Sequence, residues 1–171
     1  MSRGRRATSG RVQGLRVVVL AAGKGTRMKS DLPKVLQPLN GWPLLRHVVE
    51  TSRALKPIET VVVIGHGADA VRAAFADQPL TWALQAEQLG TGHAMQVGLA
   101  AMGEGEGEGE ILVLYGDVPL LRAATLKRLV TTHRKKKAAV TVLTARLADP
   151  TGYGRVLREG GGVRIVEHKD A

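Results

Sequence analysis

Apolar residues in this chain occur as short runs separated by segments in which they recur at helical spacing. The runs predict strands over 16–21, 60–64, 80–84 and 111–115, and the first, second and fourth have the composition of strands buried on both faces. Between them the spacing predicts helices over 44–55, 68–75, 93–101 and 123–135. This alternation of strands and helices predicts an α/β fold with a mostly parallel sheet.

The first strand leads into a glycine loop that carries concentrated positive charge. Gly23 and Gly25 lack a Cβ atom, so the backbone can turn sharply and its N–H groups can approach a ligand closely. Four cations lie within the eleven residues 24–34: Lys24, Arg27, Lys29 and Lys34. The loop lacks the third glycine of a dinucleotide fingerprint and the Gly-Lys-Ser of a Walker A loop. It therefore predicts a phosphate-binding loop of another kind.

Pro33 precedes the last of these cations. Its ring fixes its own φ angle and disfavours helix at Leu32, so we expect extended backbone around Lys34. An extended and stiff segment would give the Lys34 side chain a definite direction.

Polar groups follow two later strands. Gln85 opens a loop with a second amide and a Gly-Thr-Gly bend, and amides can read the edge of a base. Asp117 follows the strand 111–115, at the edge where ligands of open α/β sheets bind. A lone carboxylate there suits a hard divalent cation such as Mg²⁺. The plainer alternatives are a loop amide at Gln85 and a turn cap at Asp117.

Composition narrows the function classes. The chain has 171 residues, of which 44% are hydrophobic, enough for the core of one domain. It has no cysteine, which excludes disulfides, thiolate metal sites and a cysteine nucleophile. No apolar run approaches the roughly 18 residues of a membrane span, and the start of the chain does not resemble a secretory signal. We therefore expect a cytoplasmic protein that does not bind membranes.

The net charge of +10 is unevenly distributed. A basic tail that we expect to be disordered, residues 1–14, supplies much of it, and a second cluster follows at 127–137. Aromatic residues make up only 3% of the chain, which disfavours nucleic-acid binding by stacking. The Gly-Glu run at 103–110 predicts a solvated loop. The histidines show no paired metal spacing, so we interpret them as structural.

Five motifs in order carry a family resemblance: LAAGKGTRM with a following PKVL, QAEQLGTGHA, LYGDVPL, DPTGYGR and IVEHKDA. Together they closely resemble the uridylyltransferase part of the bacterial bifunctional N-acetylglucosamine-1-phosphate uridyltransferase/glucosamine-1-phosphate acetyltransferase family. The resemblance covers about residues 17–171. It implies a nucleotidyltransferase domain over 15–171 with a three-layer αβα, Rossmann-like nucleotide-diphospho-sugar transferase fold of the GT-A type.

The family reaction joins UTP to N-acetylglucosamine 1-phosphate with Mg²⁺, giving pyrophosphate and UDP-N-acetylglucosamine, a precursor of peptidoglycan and lipopolysaccharide. The resemblance assigns the catalytic, phosphate-binding roles to Arg27 and Lys34 and the metal to Asp117. It implies further substrate contacts at Leu20, Ala21, Ala22, Gly23, Gln85, Gly90, Thr91, Tyr115, Gly116, Gly154 and Glu167. Leu20 to Gly23 would contact the uridine, Gln85 the uracil edge, and Gly154 and Glu167 the amino sugar.

The chain departs from the family pattern at its C-terminal end. The family domain continues past Ala171 with an asparagine that shares the metal, and then with a β-helix that carries the acetyltransferase site and the trimer interface. We therefore expect a C-terminally incomplete fold and no acetyltransferase activity, and the resemblance implies no oligomeric state. Three alternatives stay open: a different sugar-phosphate acceptor, a nucleotide-binding module with little turnover, and a nucleic-acid role for the basic tail.

Overall fold

The structure is a computed structural model. It describes residues 14–23, 25, 28, 30–103, 109–160, 162–167 and 170. Its strands and helices follow one another along the chain as β1 (Arg16–Leu20), β2 (Pro38–Leu39), β3 (Trp42–Pro43), α1 (Leu44–Arg53), β4 (Glu59–Ile64), α2 (Ala68–Ala74), β5 (Thr81–Leu84), α3 (Thr91–Ala100), β6 (Ile111–Tyr115), α4 (Ala123–Lys136), β7 (Arg155–Glu159) and β8 (Gly162–Val166). Residues 1–13 of the predicted basic tail and most of the Gly-Glu run lie outside the described residues.

A parallel sheet with the strand order β5-β4-β1-β6 is the centre of the fold. In its register Val18 lies opposite Val61 on one side and Val113 on the other. Because β1 has a strand on each side and is covered on both faces, its three valines are completely buried. The predicted α/β class with a parallel sheet is confirmed.

Helix α3 packs very closely against the sheet. A Cβ atom at Gly98 would lie 2.9 Å from both Val18 Cγ1 and Val63 Cγ2, so the helix backbone rests directly on β1 and β4. Side chains alternate along a strand, so Val17 and Val19 point to the other face, and helix α1 contacts β1 as well. The core therefore extends over both faces of β1.

The prediction that strand 111–115 is buried on both faces is wrong. In β6, Leu112 and Leu114 are buried, whereas Ile111, Val113 and Tyr115 are 41%, 40% and 51% exposed. The reason is that β6 lies at the edge of this sheet, while α3 packs over β1, β4 and β5. In the part of the chain that the structure describes, the face of β6 that carries these three residues is consequently much more exposed to solvent than β1 is.

The backbone around Lys34 also differs from its prediction. Pro33 is extended, with φ −49° and ψ 138°, but Lys34–Leu36 form one turn of 3₁₀ helix. The Leu36 N–H donates to the Pro33 carbonyl at 2.8 Å and closes this turn. The proline thus sets the direction of the chain before Lys34, and the turn holds Lys34 in place.

The chain divides into two compact units, residues 1–128 and 129–171. The second contains the antiparallel pair β7 and β8, in which Glu159 lies opposite Gly162. Among the described residues no helix is long and apolar enough to cross a bilayer. The assignment of 15–171 to one nucleotidyltransferase domain stays a prediction.

Candidate active site

A cleft of about 520 Å³ opens in the first unit at the carboxyl ends of β1, β5 and β6. The residues that line it are Leu20, Ala21, Ala22, Gly23, Gly25, Met28, Lys34, Val35, Gln85, Gln88, Gly90, Thr91, Ala94, Tyr115 and Asp117. Three segments that are far apart in the sequence meet here because parallel strands end at the same edge of a sheet. The structure therefore brings together most of the residues predicted for the site.

The glycine loop forms one wall of this cleft. The Ala21 N–H donates to the Val63 carbonyl at 2.8 Å, so the chain stays against β4 for one residue beyond β1. No atom lies within 4 Å of a Cβ position at Gly23, which borders open space. Gly25 has a φ of +61°, and a Cβ there would lie 2.7 Å from Lys34 Cβ. Only glycine allows the loop to pass so close to Lys34 without strain.

The predicted phosphate-binding lysine and the predicted metal-binding aspartate touch each other. Lys34 Nζ donates a hydrogen bond to Asp117 Oδ2 at 2.6 Å, and the two side chains are 39% and 32% exposed. The pair therefore lies on the wall of the cleft with access to solvent. The ammonium group can bind an anionic ligand, and the carboxylate can bind a cation.

Gly116 fixes the backbone just before Asp117. Its N–H donates to the Leu20 carbonyl at 2.9 Å, which joins the end of β6 to the end of β1. A Cβ atom at Gly116 would lie 3.1 Å from Ala21 Cβ, 3.2 Å from Leu45 Cδ1 and 3.3 Å from Val35 Cγ1. Gly116 thus packs under the cleft floor, while the neighbouring Tyr115 is half-exposed and lines the cleft itself.

Gln85 contributes its side-chain amide to the lining of the cleft. Its side chain is buried, with 3% exposed, and its N–H donates to the Ile64 carbonyl at 2.8 Å. Its Nε2 atom lies 3.1 Å from the Gly90 carbonyl oxygen and 3.1 Å from His93 Nδ1. A buried polar group with fixed partners is oriented, and an oriented amide can read a ligand.

The potential metal ligand in the cleft is the Asp117 carboxylate, which suits a metal ion that takes its other ligands from water and substrate. Asp117 places one carboxylate in the cleft, and among the described residues no group of three or more histidine, cysteine or acidic side chains could hold a metal. Mg²⁺ is commonly held by one or two carboxylates, with water and substrate phosphates completing its coordination. The residues present therefore fit an ion that arrives with a phosphate ligand.

Three predicted site residues lie in the second unit or outside the described residues. Arg27 lies outside the described residues. Gly154 and Glu167 belong to the second unit, where a Cβ at Gly154 would lie 3.4 Å from the Val166 carbonyl oxygen and 4.0 Å from Glu167 Oε2. These two are neighbours of each other, and their role in binding a sugar stays a prediction.

Several residues of the site were not predicted from the sequence. Met28, Val35 and Ala94 line the cleft together with Gln88, the second amide of the predicted loop, and His93 contacts the Gln85 amide. His93 carries no metal-type spacing, so its sequence pattern gave no reason to single it out. The available signal was its place in the first turn of α3, two residues after Thr91.

Comparison with known proteins identifies the family of this chain. The family model described as the MobA-like NTP transferase domain matches residues 17–160. The bifunctional protein GlmU of Dechloromonas aromatica is 52% identical over 159 residues, which are 92% of this chain and 34% of that protein. The chain thus spans about a third of the length of the curated relatives it matches.

Solved structures share the fold. UDP-glucose pyrophosphorylase in complex with UDP-glucose superposes with a TM-score of 0.67 at 20% identity, over 91% of this chain and 70% of that one. Rv0371c of Mycobacterium tuberculosis in complex with manganese gives a TM-score of 0.59 at 26% identity, over 71% of this chain and 60% of that one. The first likeness concerns the fold alone.

Proposed function

The chain belongs to the MobA-like NTP transferase domain family, and from that premise we propose that it is a uridylyltransferase acting on UTP and N-acetylglucosamine 1-phosphate. The observation that carries the proposal is the meeting of a glycine loop, the Lys34–Asp117 pair and the oriented Gln85 amide in one cleft. The five motifs that resemble the bifunctional uridyltransferase family supply the choice of substrates.

The reaction makes modest demands on acid–base chemistry. An oxygen of the sugar phosphate forms a bond to the α-phosphorus of UTP, the bond from that phosphorus to the β-phosphate bridging oxygen breaks, and pyrophosphate leaves with the electron pair. The nucleophile is already an anion, so the site needs no strong general base. It must hold two mutually repelling anions in line and neutralise charge on the triphosphate.

The residues of the first unit suit these tasks. Lys34 and Arg27 would bind the triphosphate oxygens, and the backbone from Leu20 to Gly23 would contact the uridine. Bound Mg²⁺ would neutralise triphosphate charge, and Asp117 would hold it. Gln85 would face the uracil ring, with Gly90 and Thr91 shaping that pocket. Tyr115 and Gly116 would border the nucleotide sugar, and in the second unit Gly154 and Glu167 would contact the amino sugar.

Product formation tests this proposal directly. The chain is incubated with UTP, N-acetylglucosamine 1-phosphate and MgCl₂, and both pyrophosphate and UDP-N-acetylglucosamine are quantified. We expect the two products in equal amounts, with formation lost on omission of MgCl₂ and in the D117A variant. The matched control is D69A, which removes an acid that is fully exposed on α2, and this variant should retain the wild-type rate.

Two results would contradict the proposal in different ways. Binding of UTP without pyrophosphate release would indicate a nucleotide-binding module. Faster product formation with another sugar 1-phosphate, such as glucose 1-phosphate, would retain the reaction class and replace the acceptor.

A further inference from the structure

Two hydrogen bonds converge on one atom of the Gln85 side chain, which lines the cleft. Its Nε2 atom lies 3.1 Å from the Gly90 carbonyl oxygen and 3.1 Å from His93 Nδ1. Resting on the proposed function, we propose that His93 is a positioning residue that fixes the Gln85 amide with its oxygen available to the base, and so selects a base with an imide N–H.

The Gly90 carbonyl settles which end of the amide lies there. A carbonyl oxygen can only accept a hydrogen bond, so the Gln85 atom beside it must be the NH₂ nitrogen. A rotated amide would place two oxygens at 3.1 Å with no proton between them. The amide orientation thus follows from chemistry.

The same reasoning fixes the state of the His93 ring. The second hydrogen of the Gln85 NH₂ group points to Nδ1, which must therefore accept and carry no proton. A neutral imidazole then has its proton on Nε2. His93 thereby adds to the cost of rotating the amide, because rotation would break the bond to Gly90 and would also require the imidazole proton to move from Nε2 to Nδ1.

Both acceptors are held in place by helix α3. Gly90 precedes the helix with a φ of +96° and a ψ of −178°, a conformation that favours glycine. Its carbonyl also accepts the Ala94 N–H at 3.1 Å, and His93 lies in the first turn of the helix. The start of α3 thus holds both hydrogen-bond acceptors of the Gln85 amide in fixed positions.

The amide oxygen is the atom left for a ligand. Among the described residues both hydrogen bonds of the Gln85 side chain use Nε2, and this side chain lines the cleft. A fixed acceptor is complementary to the N3–H of uracil. The N3 atom of cytosine is itself an acceptor, so it would repel the same oxygen. The Gln85 amide, held in this orientation, consequently favours UTP over CTP.

Equilibrium binding and turnover of three variants test this inference. H93L removes the acceptor with a side chain of similar size, whereas H93N keeps an acceptor at the δ position. H66L makes the same change as H93L at a histidine that is exposed outside the cleft lining. Dissociation constants for UTP and CTP with MgCl₂ are measured by calorimetry, together with KM and kcat for pyrophosphate release.

We expect H93L to raise the UTP dissociation constant by about three- to tenfold, the worth of one neutral hydrogen bond, with CTP binding changed less than about twofold. The loss should occur in KM, with kcat kept. H93N and H66L should retain the UTP preference of the wild type. If H93L does not fold, H93A carries the same expectation.

Several outcomes would overturn the inference. An unchanged ratio of UTP to CTP affinity in H93L would do so, and so would an equal loss for both nucleotides with a lowered melting temperature, which indicates a purely structural bond. Wild-type protein that binds UTP, shows the predicted change in H93L and releases no pyrophosphate would overturn only the uridylyltransferase proposal. Wild-type protein that does not bind UTP would overturn both.

Discussion

Lys34 and Asp117 are 83 residues apart in the sequence, and their side chains are joined by a bond of 2.6 Å between Nζ and Oδ2. The lysine comes from the turn after the glycine loop, and the aspartate follows the edge strand β6. The positive charge of Lys34 and the negative charge of Asp117 neutralise each other in this contact. Under the proposed function, nucleotide and metal would replace the pair with their own contacts, so the role of each charge can be tested separately.

Replacing Lys34 by methionine should weaken UTP binding by at least about tenfold, because charge-assisted hydrogen bonds to phosphate contribute about 1.5–3 kcal/mol. Calorimetric titration with UTP and MgCl₂ measures the effect. K127M changes an exposed lysine of α4 that lies outside the cleft lining, and it should bind as the wild type does. Equal affinities of K34M and wild type would exclude Lys34 from phosphate binding.

The D117N variant should bind UTP with an affinity that no longer rises when MgCl₂ is added, since an amide is a weaker ligand for Mg²⁺ than a carboxylate. Its free energy of unfolding without ligand should change by less than about 1 kcal/mol, because the ion pair it loses is partly exposed to solvent. Titrations with and without MgCl₂, and urea unfolding, provide the two measurements. A Mg²⁺ response like that of the wild type would place the metal elsewhere.

G98A should destabilise the protein by about 1–3 kcal/mol, because the new methyl group would overpack the contact between α3 and the buried Val18 and Val63. Urea unfolding measures this change. G92A is the matched control in the same helix, where no atom lies within 4 Å of the new Cβ. It should be neutral or stabilising, as alanine favours helix over glycine. Similar unfolding curves for the two variants would contradict the close packing.

G25A should lower UTP affinity by about tenfold, since it combines a strained positive φ with a displacement of the loop from Lys34. G41A separates the two causes: Gly41 also has a positive φ, +82°, but no atom lies within 4 Å of its Cβ position. That variant should lose some stability in thermal unfolding and keep its UTP affinity. If both variants bind UTP equally well, the approach of the loop to Lys34 has no role in binding.

The four strands of the central sheet, their order of appearance along the chain and the loops that form the cleft could be predicted from apolar runs and from the polar groups that follow them. The burial of β6 could not, because Ile111, Val113 and Tyr115 are as apolar as residues of a central strand. Whether they are covered depends on which elements lie beside them, and strand order is a property of the whole fold.

Two details of the site depend on interactions that a linear pattern does not encode. The turn at Lys34 forms because the Leu36 N–H finds the Pro33 carbonyl, which the restriction on residues before proline does not address. The contact between Gln85 and His93 forms between the end of a strand and the start of the next helix. A histidine that pairs with an amide follows no spacing rule that would reveal it in the sequence.

The position of β1 in the sheet has a consequence for how the protein folds. Arg16 at the start of β1 lies opposite Glu59 on one side and Ile111 on the other, so β1 pairs with β6, which comes last in the sequence among the four strands of this sheet. Pairings between distant segments carry a large loop-closure cost and slow folding. The seam between β1 and β6 also joins Leu20 to Gly116 and positions Asp117. The capacity to bind a nucleotide should therefore appear late in folding, when β6 docks.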